Sequence, residues 1–151
     1  MIAATKLVFK EGTTLDLYFL DGTVKRYNVL SLIDKYPQLK ELKNKNLFLK
    51  GRLLGWSTVY WNDELDISVE DPYYDGEDVT NQYDDIENVT LGYKIKQKRL
   101  ELELSQEELA KRVGIDQSDL SKIEKGNANP SIKMIHKIVS GLNGKISIDI
   151  K

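Results

Sequence analysis

Residues 104–126 read LSQEELAKRVGIDQSDLSKIEKG, and they contain two helix starts, each followed by a glycine stop. Ser105 stands before Gln106-Glu107-Glu108, a capping residue with a carboxylate three positions on. Asp116 stands in the same relation to Asp119. Leu109, Ala110 and Val113 then recur at helical spacing, Gly114 supplies a tight turn, and Gly126 ends the second helix. The second helix opens on small polar residues, not apolar ones. Two short helices joined in this way are able to set a helix N-terminus into the major groove of DNA.

Outward from this stretch the helical period continues. Ile95, Arg99 and Leu102 share a face upstream, and Ser131, after Asn129-Pro130, opens a further helix downstream, giving four short helices in all. Within them the bland assignments come first. Ser105 and Asp116 are caps, while Leu109, Ala110, Val113, Ile115, Leu120 and Ile123 are core. The last residues, Lys145-Ile146-Ser147-Ile148-Asp149-Ile150-Lys151, alternate strictly and predict a strand too short to stand alone.

This pattern resembles the Cro/phage-repressor class of helix-turn-helix domains, the XRE type. The likeness is carried by Arg99, Leu104-Ser105-Gln106-Glu107-Glu108-Leu109-Ala110, Gly114, Leu120-Ser121-Lys122-Ile123-Glu124, and Gly126 with Pro130. It implies that Gln106 bonds a backbone phosphate, and that Gln117 and Ser118 read bases from the first turn of the recognition helix. A glutamine there has both the donor and the acceptor that match adenine N6 and N7. Asp119 and Ser121 lie within the same two turns. Asp119 can accept from cytosine N4 or, repelled by phosphate, exclude contacts; both readings stay open. Lys122, Lys125, Asn127 and Asn129 suit flanking phosphates, against the plainer reading of solvated surface groups. Arg99 and Glu124 resemble the class's internal ion pair, which is structural. The expected ligand is a pseudo-palindromic double-stranded operator bound by a homodimer, whose recognition helices serve half-sites about 34 Å apart. The terminal strand is expected to pair between subunits, as in the antitoxins of persistence-type toxin pairs; docking on the chain's own N-terminal sheet is the alternative.

Charge is unevenly divided. Residues 1–90 carry 10 Lys/Arg against 16 Asp/Glu, a net −6, and residues 91–151 carry 12 against 8, a net +4, together the chain's −2. A basic C-terminal half points weakly to phosphate. The N-terminal half reads as strands at 6–10, 14–20 and 23–28, with Asp21-Gly22 as a two-residue hairpin turn. Short helical pieces follow at 31–36 and 38–42 around Pro37, and strands resume at 47–49, 53–54, 58–61 and 65–69. In the second strand Leu15, Leu17 and Phe19 alternate with Asp16, Tyr18 and Leu20, which predicts one buried face. From Glu70 to Glu87 the sequence EDPYYDGEDVTNQYDDIE has eight acidic residues and no basic one, which reads as a linker. Only Tyr73, Tyr74 and Tyr83 could pin it to a surface.

The expected organisation is therefore an α+β domain over 1–72, an acidic linker over 73–90, an all-α lambda-repressor-like domain over 91–143, and a strand over 144–151. The first domain resembles the family called domain of unknown function 2442. That likeness rests on the Asp21-Gly22 hairpin, Phe48, Trp61, and Asp66-Ile67-Ser68-Val69-Glu70 followed by Tyr73-Tyr74, and it implies a protein-binding module. The favoured reading is an autoregulating, antitoxin-like repressor with a toxin as protein partner. The runner-up is a regulator whose N-terminal domain senses a small ligand or oligomerises.

Enzymatic readings fare poorly. Asp63, Glu64, Asp66 and Glu70 are clustered, but alternation assigns Glu64, Asp66, Ser68 and Glu70 to one exposed strand face. His136 is the sole histidine, there is no cysteine, and Gly51-Arg52-Leu53-Leu54-Gly55 lacks the lysine and spacing of a phosphate loop. Trp56, Tyr60 and Trp61 read as core or interface. No catalytic residue, metal or cofactor is expected. The start, MIAATKLVFKEG, has no basic leader with an apolar core, and no apolar run reaches membrane-spanning length. A cytoplasmic protein is the expectation.

Overall fold

The computed structural model describes residues 1–151 and divides them into two units, Met1–Ile86 and Glu87–Lys151. In the first unit β1 (Ala4–Phe9), β2 (Thr14–Phe19) and β3 (Val24–Asn28) form an antiparallel sheet. Gly22, at φ 88°, makes the turn between β2 and β3 in a conformation that costs glycine little. Two 3₁₀ segments, Val29–Leu32 and Pro37–Lys43, lead to α1 (Lys45–Phe48). A second antiparallel sheet follows: β4 (Arg52–Leu54), β5 (Thr58–Asn62) and β6 (Leu65–Ser68).

Both sheets bury their apolar faces in one core that includes Leu15, Leu17, Phe19, Phe48, Val59, Trp61, Leu65 and Ile67. Trp61 satisfies its indole N–H by donating to the Phe48 carbonyl at 2.8 Å. On β6 burial alternates strictly, with Leu65 and Ile67 inside and Asp66 and Ser68 in solvent; Glu64 and Glu70 are exposed with them. The carboxylates of this strand lie on its wet face, as the alternation predicts.

Three expectations need correction. Residues 47–49 are not a strand, because Asn44 caps α1 by accepting from the Leu47 N–H, and the run Leu47-Phe48-Leu49 has no alternation to favour a sheet. β2 does not have one wet face: Asp16 is 0% exposed and Tyr18 1%. The third correction explains the second. The acidic stretch expected as a linker is folded, forming α2 (Glu70–Asp75), β7 (Glu77–Asp78) and a 3₁₀ turn at Thr80–Gln82, with β7 paired to β3.

The tyrosines and the sheet's basic side chains hold that stretch. Tyr83 donates its hydroxyl to Asp16, which also receives both arms of Arg26 at 2.9 Å. Tyr18 donates to Asp85 at 2.7 Å, and Lys6 pairs with the same carboxylate at 3.2 Å. Tyr73 packs edge-on against Phe19 and donates to Asp21. Burial and the bond to Asp16 push the Tyr83 phenol up to about 12.

The second unit is helical: α3 (Ile86–Glu101), α4 (Gln106–Val113), α5 (Gln117–Glu124) and α6 (Ile132–Gly141). Its core is Ile95, Leu109, Ala110, Leu120, Ile123, Ile138 and Leu142. Helices approach closely at glycines. A methyl group on Gly92 of α3 would lie 2.2 Å from the Ile123 carbonyl oxygen of α5, and one on Gly141 of α6 would lie 2.2 Å from the Val113 side chain of α4. Residues 144–151 form no strand in the single chain and do not dock on its N-terminal sheet; the pairing expected of them is with a second subunit, and one chain supplies no partner ladder for it.

Candidate nucleic-acid interface

Gln106 is the first residue of α4. Ser105 caps the helix by accepting from the Glu108 N–H at 3.0 Å, and the Ser105 N–H donates to the Glu108 carboxylate at 2.7 Å. These bonds from Ser105 hold the Glu108 carboxyl below its ordinary range. Gly114, at φ 73°, then ends α4 in a left-handed conformation and turns the chain toward α5. Asp116 occupies the N-cap of α5 but makes no side-chain capping bond, a difference from its expected role.

α5 has two unlike faces. Leu120, Ile123 and Glu124 are buried three and four residues apart. At 3.6 residues per turn, Ser118, Lys122 and Lys125 fall opposite that seam, with Gln117 and Ser121 on one flank and Asp119 on the other. Gln117, Ser118, Asp119, Lys122, Lys125 and Asn127 are exposed, and Ser121 and Gln106 are half-buried. The structure therefore brings Gln117, Ser118, Ser121, Lys122 and Lys125 onto the accessible side of one helix. Asp119 lies on the other flank, where it and Lys122 border a small concavity lined by Ile123, Ala128 and Met134, with Asn129 and Ser131 at its rim. Ser131 caps α6 by accepting from the Met134 N–H at 3.1 Å.

The orientation of α5 is fixed from beneath. Arg99 of α3 donates to both oxygens of Glu124, at 2.6 and 3.0 Å, and its third nitrogen donates to the Leu104 carbonyl at 2.7 Å. The pair is almost fully enclosed, with side chains 8% and 2% exposed. One guanidinium thus joins the end of α3, the entry to α4 and the end of α5. Sequence resemblance pointed to this pair but gave no sign of Gly92, whose role depends on the approach of α5 from 31 positions away. It also missed the bond from Gln106 Nε2 to Glu124 at 2.9 Å.

His136 is exposed in an open cleft beside Arg112, Lys133 and Lys137, and Arg112 donates there to the Gly141 carbonyl at the end of α6. No cluster of three or more His, Asp or Glu side chains is spaced to hold a metal ion. No helix is long and apolar enough to cross a membrane.

The helix-turn-helix family matches residues 95–148. An uncharacterized HTH-type transcriptional regulator of Archaeoglobus fulgidus is 45% identical over 53 residues, 35% of this chain and 75% of the relative. One of Methanothermobacter thermautotrophicus is 41% identical over 56 residues, 37% of this chain and 81% of its own length. A solved structure from Nitrosomonas europaea aligns over 91% of this chain and 84% of its own at 16% identity and a TM-score of 0.44, too loose a likeness to carry a conclusion.

Proposed function

The chain belongs to the helix-turn-helix family and is a DNA-binding transcriptional regulator, and from that premise we propose that it is a sequence-specific repressor that binds its own promoter as a dimer. The observation that carries this reading is the accessible face of α5. It offers neutral polar side chains at its first turn, Gln117 and Ser118, and cations further along, Lys122 and Lys125, in a half of the chain with net charge +4. Neutral amides and hydroxyls discriminate base edges, whereas lysines add affinity without sequence choice. Gln106, Lys122, Lys125 and Asn127 serve phosphates; Gln117, Ser118 and Ser121 serve bases. Asp119 lies to one side of this face and acts by exclusion.

A dimer is supported by apolar surface that a single chain leaves in water. Ile132 is 60% exposed, Ile148 64% and Ile150 90%, and Ile132 and Ile148 edge a groove whose lining also includes Leu91, Ile135 and the chain's own residues 144–147. A second copy covers this groove, and its terminal residues pair with those of the first as the ribbon that one chain cannot complete. The N-terminal unit, net negative and with Asp63, Glu64, Asp66 and Glu70 in solvent, binds a basic protein. The domain of unknown function 2442 that it resembles suggests the toxin of the same operon, which makes the whole chain antitoxin-like and cytoplasmic.

Fluorescence anisotropy on the upstream promoter duplex and on a scrambled duplex, at two salt concentrations, tests the reading. A steep salt slope and a preference of about 1000-fold for the promoter support it. Equal affinity for both duplexes rejects the specific-repressor role.

A further inference from the structure

Glu124 lies at the far end of the recognition helix from its base-reading residues and is buried, so it touches no DNA itself. Its carboxylate nonetheless has three donors: Arg99 Nε and Nη2, and Gln106 Nε2 at 2.9 Å. We propose that Glu124 is a positioning residue for DNA binding, which fixes the carboxamide of Gln106 so that its second N–H is presented to a backbone phosphate. The proposal rests on the phosphate role given to Gln106 above.

A glutamine amide at a surface ordinarily rotates, offering oxygen or nitrogen with similar ease. An oxygen turned toward phosphate would repel it. Here rotation is blocked, because a carboxylate only accepts, and only the nitrogen of Gln106 can face Glu124. One N–H is engaged by Glu124, and the other is the one we assign to the phosphate, on a side chain that is only half-buried. Arg99 makes this arrangement compatible with DNA. Its bidentate bond neutralises the Glu124 charge, so the carboxylate can orient Gln106 without repelling the phosphate that Gln106 is to meet. Arg99 also grips the Leu104 carbonyl, just before the Ser105 cap, and so holds the backbone from which Gln106 projects. A single buried cluster thereby links the phosphate-binding end of α4 to the angle of α5, and phosphate contact and base reading are set together.

The test has two arms. In the free protein, NMR of glutamine side-chain amides, assigned with Gln106→Ala, should show a Gln106 pair with one proton shielded from exchange and the other open. This arm needs no variant at position 124, so it remains informative if Glu124 variants fold poorly. A pair exchanging like a free amide overturns the proposal.

On DNA, Glu124→Asp keeps a carboxylate for Arg99 but falls short of Gln106. Its promoter affinity should drop about three- to tenfold, as expected for one hydrogen bond, and by less than about twofold when Gln106→Ala is already present. The salt slope should not change, because a neutral carboxamide releases no counterion. Equal losses in both backgrounds, or a shallower slope as Lys122 and Lys125 tilt away from phosphates, would make Glu124 a structural residue alone and overturn the proposal. If Gln106→Ala binds DNA as well as the unmodified chain does, the phosphate role fails and the proposal fails with it; the NMR arm still reports whether the bond exists.

Discussion

Gly92→Ala distinguishes the packing described for the second unit from that of an ordinary helix by the sign of its effect. In a solvent-facing helix the substitution stabilises by about 1 kcal/mol, because alanine loses less conformational freedom than glycine. In α3 the added carbon would lie 2.2 Å from the Ile123 carbonyl oxygen, 2.7 Å from that of Glu124 and 2.9 Å from the Glu124 carbonyl carbon. Ordinary contact between carbon and a carbonyl oxygen begins near about 3.3 Å, so α5 must retreat by roughly 1 Å. The obstructing atoms are backbone and cannot rotate away. Overpacking of this kind costs about 1–3 kcal/mol. Set against the helix gain of about 1 kcal/mol, the net loss is about 0–2 kcal/mol, at about 4–8 °C per kcal/mol in a unit of this size. The assay is urea denaturation of the full chain followed by two signals. Far-UV circular dichroism reports mainly the helical unit, while Trp56 and Trp61, the only tryptophans, report the N-terminal unit as an internal control. The dichroism transition should move to lower urea with the tryptophan transition unchanged, and promoter affinity should fall as α5 shifts. A dichroism transition moved to higher urea would refute the close approach of α3 and α5.

Other perturbations have equally definite outcomes. Arg99→Ala strands the buried Glu124 carboxylate and should cost about 3–5 kcal/mol by the same dichroism signal. Ser105→Ala removes one side of the capping box and should cost about 1 kcal/mol. The Glu108 carboxyl, held low by Ser105, contributes stability above the ordinary glutamate range, and that contribution is lost as pH falls through the depressed value. Dichroism melts of the Glu108→Gln variant and the unmodified chain should converge at acid pH. Tyr83, raised to about 12, favours the folded state fully below the ordinary tyrosine value of about 10. Its contribution, on the order of 2 kcal/mol, is lost as pH rises toward 12. In spectrophotometric titration Tyr83→Phe should remove one phenol ionising near 12, and its tryptophan-reported stability should be lower near neutral pH by about 1–3 kcal/mol.

The helical unit was legible because its signals are local. Ser105 with Glu108, the glycines at 114 and 126, and Ser131 each act within one turn of the residue they cap, so spacing alone locates them. The Asp21-Gly22 hairpin and the alternation of β6 are local in the same sense. What composition misjudged is the stretch after Glu70. Counting acids predicts a chain repelled by itself and by water-poor surfaces. The cations that pair with its carboxylates, Lys6 and Lys25, and Arg26, which bonds its Gln82, lie on strands some fifty to eighty positions earlier, and no pattern within the stretch announces them. The same limit hid half of the buried cluster beneath α5. Arg99 with Glu124 was foreseen from resemblance, but Gln106 reaches Glu124 across 18 positions, and its role beside that pair emerges only from packing.

The most direct test of the central claim, that α5 reads DNA while Gln106 anchors it, compares Gln117→Ala with Gln106→Ala on the promoter duplex and on a scrambled duplex. Gln117→Ala should weaken promoter binding by about 1–3 kcal/mol and leave the scrambled duplex almost unaffected, relaxing base preference. Gln106→Ala should weaken both duplexes by a similar factor. Equal losses on both duplexes from Gln117→Ala would contradict the assignment of α5 as the reading helix.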